Sequence, residues 1–191
     1  MNYPNKKKAV KKQNNYANLG MTLESDIDLT NQYYLSHQIA VIHKKPTPIQ
    51  VVNVSYPARN KAKIIEAYYR TPSTTDFNGL YKGRYIDFDA KETNSKTSFP
   101  FSNIHEHQIR HLSEIDTQGG IAFLIIGWTQ YNEYYLITIK ELLPLWEAAK
   151  SGGRKSIAYS FFKTNCQIIP FGFQPRLDYL KVVDQLIQLH L

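Results

Sequence analysis

Arg84-Tyr85-Ile86-Asp87-Phe88-Asp89-Ala90-Lys91 alternates between apolar and charged side chains. In a strand, successive side chains point to opposite faces, so Ile86, Phe88 and Ala90 share one face and Asp87, Asp89 and Lys91 the other. The apolar three predict a core and the charged three a cleft. Asp76 lies thirteen residues before Asp89, in the turn-rich stretch Thr74-Thr75-Asp76-Phe77-Asn78-Gly79. Two carboxylates can hold a divalent cation, and a nearby ammonium can oppose charge building on a phosphate, as metal-dependent phosphodiester hydrolysis requires. Asp76, Asp89 and Lys91 are therefore the candidate catalytic set. Asp87 faces the same way as Asp89 and is its rival, although Lys91 fits the acid-x-Lys spacing only with Asp89. A bare acid-x-Lys pattern is more often a solvated edge strand. The alternation, the upstream acid beside a glycine and the flanking basic segments shift that balance.

Outward from this strand, the chain reads as helices alternating with strands. Thr22 is a plausible N-cap for a helix reaching about Ser36, with Glu24, Asp26 and Asp28 suited to its positive end. Ile39–His43 and Ile49–Val54 read as extended, and Pro46 and Pro48 keep the segment between them out of a central ladder. The basic, mixed stretch from Ala58 to Tyr69 is expected to project rather than fill a core. Lys96–Ser102 reads as a loop. A helix from about Ile104 to Gln118 stops at Gly119-Gly120. Ile121–Trp128 is the most apolar run and predicts a central strand, paired with Tyr134–Ile139. Leu142–Lys150 reads as a helix in which Pro144 is tolerable only near the first turn. Asp178–Leu191 reads as a closing helix, with Leu180, Val183, Ile187 and Leu191 on one stripe. The order predicts an α/β fold with a mixed central β-sheet flanked by helices.

The 191 residues fit one domain, at 18–191, with a basic arm at 1–17. The formal net charge is +7, and Lys6, Lys7, Lys8, Lys11 and Lys12 crowd the arm with no acid among them. That balance permits polyanion binding, although a solubilising tail would look the same. No run approaches the roughly 18–20 apolar residues of a membrane span, and no apolar segment of a secretory signal follows the basic start. Cys166 is the single cysteine, which excludes an internal disulfide and a multi-cysteine zinc site and fits a reducing cytoplasm. His107 and His111 could share a helix face and His105 could not, which leaves zinc without a third ligand. Ser151-Gly152-Gly153-Arg154-Lys155-Ser156 lacks the spacing of a phosphate-binding loop and follows a helix, so it reads as a solvated turn.

Several longer blocks carry a resemblance. They are Gly20-Met21-Thr22-Leu23-Glu24, the run Ala40 to Gln50 (Ala-Val-Ile-His-Lys-Lys-Pro-Thr-Pro-Ile-Gln), Ser73 to Gly79 and Lys82 to Thr93. Lys96-Thr97-Ser98-Phe99-Pro100 and His105-Glu106-His107-Gln108 continue the series. In this order the blocks closely resemble the RecU family of Holliday-junction resolvases, over about residues 18 to 130. The resemblance implies a restriction-endonuclease-like PD-(D/E)XK core with a projecting stalk, at about 45–70 here. It also implies a homodimer that makes paired symmetric nicks in four-way DNA junctions during recombination and repair, with possible contacts to other recombination proteins. Carried onto matching positions, it implies Mg²⁺ (or Mn²⁺ in its place) held by Thr74, Asp76, Asp89 and Gln108, with Lys91 stabilising the transition state. The DNA-binding candidates are the five arm lysines with Lys44, Lys45, Arg59, Lys61, Lys63, Arg70, Lys82 and Arg84. The family often has Glu where this chain has Asp89, and Arg where it has Leu19. The alternatives are an architectural junction-binding protein with an idle site, and a nuclease that cuts ordinary duplex.

Overall fold

The computed structural model describes residues 22–58, 60–70 and 74–188; the basic arm, Leu19 and Arg59 lie outside them. The first helix, α1 (Leu23–Ser36), is capped by Thr22, whose hydroxyl accepts from the Ser25 amide at 3.3 Å. β1 (Val41–Lys44), β2 (Ile49–Ser55), β3 (Lys63–Tyr69), β4 (Phe77–Tyr81) and β5 (Arg84–Thr93) follow. Next come β6 (Ser98–Pro100), a 3₁₀ turn at Phe101–Asn103, α2 (Glu106–Thr117), β7 (Ile121–Trp128) and β8 (Glu133–Thr138). The chain closes with α3 (Ile139–Lys150), β9 (Ser156–Ala158), α4 (Tyr159–Asn165), β10 (Gln167–Ile168) and α5 (Tyr179–Gln188).

The main sheet has the strand order β1-β4-β5-β7-β8-β10. β5 and β7 run parallel and every other neighbouring pair is antiparallel, so the sheet is mixed. Each face carries its own core. Ile42, Phe77, Ile86, Phe88, Ala90 and Phe123 pack with Leu23, Ile27 and Tyr34 of α1 and Val183 of α5. Leu124, Ile126, Trp128 and Ile137 pack on the other side with residues of α2, α3 and α4. The result is a sheet between two helical layers, the stable solution for a sheet that is apolar on both sides. Phe77, Phe88 and Phe123 stack across β4, β5 and β7 with ring centroids 5.0 and 4.7 Å apart. The β4–β5 hairpin turns through Lys82 and Gly83, both at positive φ (49° and 75°), as a two-residue hairpin turn requires.

β2 and β3 form a separate two-stranded antiparallel ribbon outside both cores. Every residue of β3 is exposed. Within the segment expected to project, Lys63–Tyr69 forms the strand β3, paired with β2 and exposed throughout.

Several local readings change. Asn78 and Gly79, read as turn residues, lie in β4. A Cβ on Gly79 would sit 2.1 Å from the Val41 carbonyl oxygen, so glycine there allows β1 to approach closely. Part of the expected loop at Lys96–Ser102 is β6, which pairs with β9 far along the chain, a partner that local pattern does not reveal. The third helix begins at Ile139 rather than Leu142. Thr138 and Glu141 form a capping box there, so Pro144 falls in the second turn, where its ring nitrogen has no proton to donate to the helical ladder. The first strand begins at Val41 rather than Ile39, because Gln38 takes a positive φ of 57° and the Ile39 amide still bonds the Tyr34 carbonyl of α1. Cys166 is partly buried among the α3–α4 core, and that burial pushes its thiol up to about 12.

Candidate active site

β5 carries Asp87, Asp89 and Lys91 toward α2, opposite the Phe88 core, as alternation predicts. The expected open cleft is instead largely roofed: Asp87 and Asp89 are both fully buried. Asp76 immediately precedes β4. The Phe77–Phe88 pairing therefore sets it beside the middle of β5, where its carboxylate accepts from the Ala90 amide at 3.2 Å.

Asp89 touches two partners. Lys91 Nζ lies 2.5 Å from its Oδ1, and Gln108 Nε2 donates to its Oδ2. Gln108 is the third residue of α2, and its Oε1 accepts from the His105 amide at 3.1 Å, closing a capping box. That cap fixes which end of the amide faces Asp89: reversing it would set oxygen against oxygen and NH₂ against N–H. Burial pushes the Asp89 carboxyl up to about 7, Lys91 works against that shift and the neighbouring charge of Asp76 adds to it. A desolvated carboxylate beside a second one, with a single ammonium in contact, is short of positive charge.

Asp87, two residues away on the same face, is surrounded by donors. Lys45 Nζ is 2.7 Å from its Oδ2, Tyr85 donates at 3.0 Å, His111 Nε2 lies at 3.2 Å, and Thr75 donates to Oδ1. Thr74 is exposed, with Oγ1 3.2 Å from Lys45 Nζ. His105 and His107 stack on each other at the start of α2, while His111 reaches the Asp87 pocket, so the three histidines do not converge.

Oxygen donors of this kind suit a hard cation such as Mg²⁺. Among the described residues no three His, Cys, Asp or Glu side chains form a ready-made metal site. A cation here would rest on Asp76 and Asp89 together with hydroxyl, carbonyl or water oxygens. The charge deficit at Asp89 is what such an ion would relieve.

The basic candidates are scattered. Lys45 points inward, with its side chain only 14% exposed. Lys44 pairs with Glu24 at 2.6 Å and Lys82 with Asp184 at 2.6 Å, both at the surface. Lys61, Lys63 and Arg70 are exposed on or beside the ribbon, and Arg84 starts β5.

The family model described as Recombination protein U matches residues 18–185. The chain belongs to the RecU family. The Holliday junction resolvase RecU of Oceanobacillus iheyensis is 53% identical, with 97% of this chain and 99% of that protein covered. The resolvases of the same name from a Geobacillus species and Bacillus mycoides are 53% and 50% identical over 93% and 91% of this chain. Among solved structures, the resolvase Hjc of Archaeoglobus fulgidus covers 52% of this chain and 74% of its own at 10% identity, with a TM-score of 0.33, too loose an overlap to carry an argument.

RecU membership accounts for the blocks that carry the resemblance, and the geometry adds what they could not supply. The sequence favours Asp89 through its spacing to Lys91, although strand parity treats Asp87 alike. Their difference comes from Lys45, Thr75 and His111, which arrive from other elements. Thr75, beside the motif residue Asp76, was the one local signal available.

Proposed function

We propose that this protein is a structure-specific endonuclease that resolves four-way DNA junctions, using Mg²⁺ held between Asp76 and Asp89. The observation that carries the reading is the pair of converging carboxylates with Lys91 in contact, in a chain whose RecU relatives are named as Holliday junction resolvases. Thr74, two residues before Asp76, would supply a further oxygen. Gln108 orients Asp89 through its Nε2; for Oε1 to reach a cation, it would have to leave the His105 amide. Asp76 and Asp89 would hold such a cation, which would supply a lowered pKa for an attacking water and stabilisation of charge on the scissile phosphate. Lys91 is placed to donate to the phosphate oxygen that gains charge, and the low-dielectric surroundings strengthen that interaction.

In this reading the ribbon is the stalk of the resemblance. Its basic residues Lys61, Lys63 and Arg70 face DNA, assisted by the lysines of the arm. The ribbon also exposes Ile49, Val51, Val52, Ile64, Ile65, Tyr68 and Tyr69. An apolar surface of that extent suits a second copy of the chain. A two-fold dimer presents two sites, which suits two symmetric cuts. No helix among the described residues is long and apolar enough to cross a membrane; the reading places the protein with DNA in the cytoplasm.

The test is nicking of a labelled mobile four-way junction in Mg²⁺ or EDTA, beside matched linear duplex. Symmetric nicks that need both junction and Mg²⁺ support the proposal. Junction binding without cutting favours an architectural protein, and equal cutting of duplex favours a general nuclease.

A further inference from the structure

Lys45 joins three parts of the molecule. Its amide donates to the Asp76 carbonyl at 2.7 Å. Its ammonium lies 2.6 Å from Thr75 Oγ1, 3.2 Å from Thr74 Oγ1 and 2.7 Å from Asp87 Oδ2. A lysine ammonium has three protons to donate, and three oxygens meet it here. His111 Nε2 adds a fourth neighbour at 3.5 Å. Lys45 thus grips residues 74–76 by main chain and side chain at once, with Asp87 as counter-charge. It also stands at the root of the ribbon: three residues on, the Pro48 carbonyl accepts from the Arg70 amide at 3.0 Å and closes the base.

We propose that Lys45 is a positioning residue, which holds the Thr74–Asp76 segment so that the Asp76 carboxylate stays beside Asp89, and which ties that segment to the base of the ribbon. Asp87 is then the anchor of this device rather than a ligand. The inference rests on the reading of Asp76 as part of the metal site. A lysine committed to DNA would present its charge outward, whereas this one is turned into the fold and its donors are engaged.

Removing Lys45 alone strands a buried carboxylate, which is strongly destabilising, so the deciding variant is Lys45→Met combined with Asp87→Asn, in the full chain. Three quantities are read: amide exchange across residues 74–77 without metal, junction affinity in Ca²⁺, and single-turnover nicking with the junction saturated. The expected result is exchange faster by about tenfold, nicking slower by about 10- to 100-fold, and junction affinity close to that of the parent. Parent-like exchange and nicking would mean that Lys45 only balances Asp87, and would overturn the proposal. Nicking that falls only in proportion to affinity would make Lys45 a DNA contact and would overturn it too. Asp76→Asn serves as the control. If it nicks like the parent, the metal-site reading fails, while the exchange measurement, which needs no cleavage, still decides the role of Lys45.

Discussion

Asp87 and Asp89 are two residues apart on one strand, face the same helix and are equally buried, yet their surroundings differ. Asp87 is met by a lysine, a threonine, a tyrosine and a histidine. Asp89 is met by Lys91 and Gln108, with Asp76 close enough to raise its pKa. A carboxylate already satisfied by the protein gains little from a cation, whereas one left short of positive charge gains much. Identical burial therefore leaves one carboxylate satisfied by the protein and the other short of positive charge.

The largest effect that could break this comparison is on cleavage. Asp89→Ala or Asp76→Ala should slow junction nicking by at least about 10³-fold with binding in Ca²⁺ retained, while Asp87→Asn should slow it by about tenfold or less. Single-turnover rates that place Asp87→Asn level with Asp89→Ala would end the distinction. Next in size, Lys91→Met should lower the rate about 10²- to 10³-fold without changing junction affinity, and a loss in affinity instead would make Lys91 a binding residue. Replacing Lys61, Lys63 and Arg70 with Ala should weaken binding and flatten its salt dependence, by about one unit of slope per lost phosphate contact; an unchanged slope would remove the ribbon from the DNA interface.

The smallest effect is on stability. In the metal-free folded protein Asp89 stays protonated up to about pH 7, against a usual value of 3.8. The unfolded chain ionises first, so this group makes stability fall as pH rises from about 4 to 7. Asp89→Asn should therefore be more stable than the parent at pH 8, by on the order of 2–4 kcal/mol, and similar to it below pH 4. Thermal melts in EDTA check this, and Mg²⁺ should narrow the gap.

Much of the fold could be read locally. β5, β7 and α2 follow directly from alternation, an apolar run and a Gly-Gly stop, because each is governed by neighbours in sequence. β6, β9 and β10 escaped because short strands are defined by distant partners. Gly79 misled because glycine marks turns and close strand contacts alike. At the site, the spacing proposed Asp76, Asp89 and Lys91, which the fold brings together, and the resemblance proposed Thr74 and Gln108. The pocket around Asp87 was hidden because Lys45 looked like one more surface cation in a basic run.

The stacked Phe77, Phe88 and Phe123 have a meaning beyond packing. A slip of β4 by two residues along β5 would keep every apolar side chain on its proper face, so alternation alone does not oppose it. It would nevertheless carry Asp76 about 7 Å along the strand, out of reach of Asp89. Together with the two-residue turn at Lys82-Gly83, the rings work as an indexing pin that distinguishes registers which alternation alone leaves equivalent. In this molecule the accuracy of strand assembly and the assembly of the two-acid site are one event.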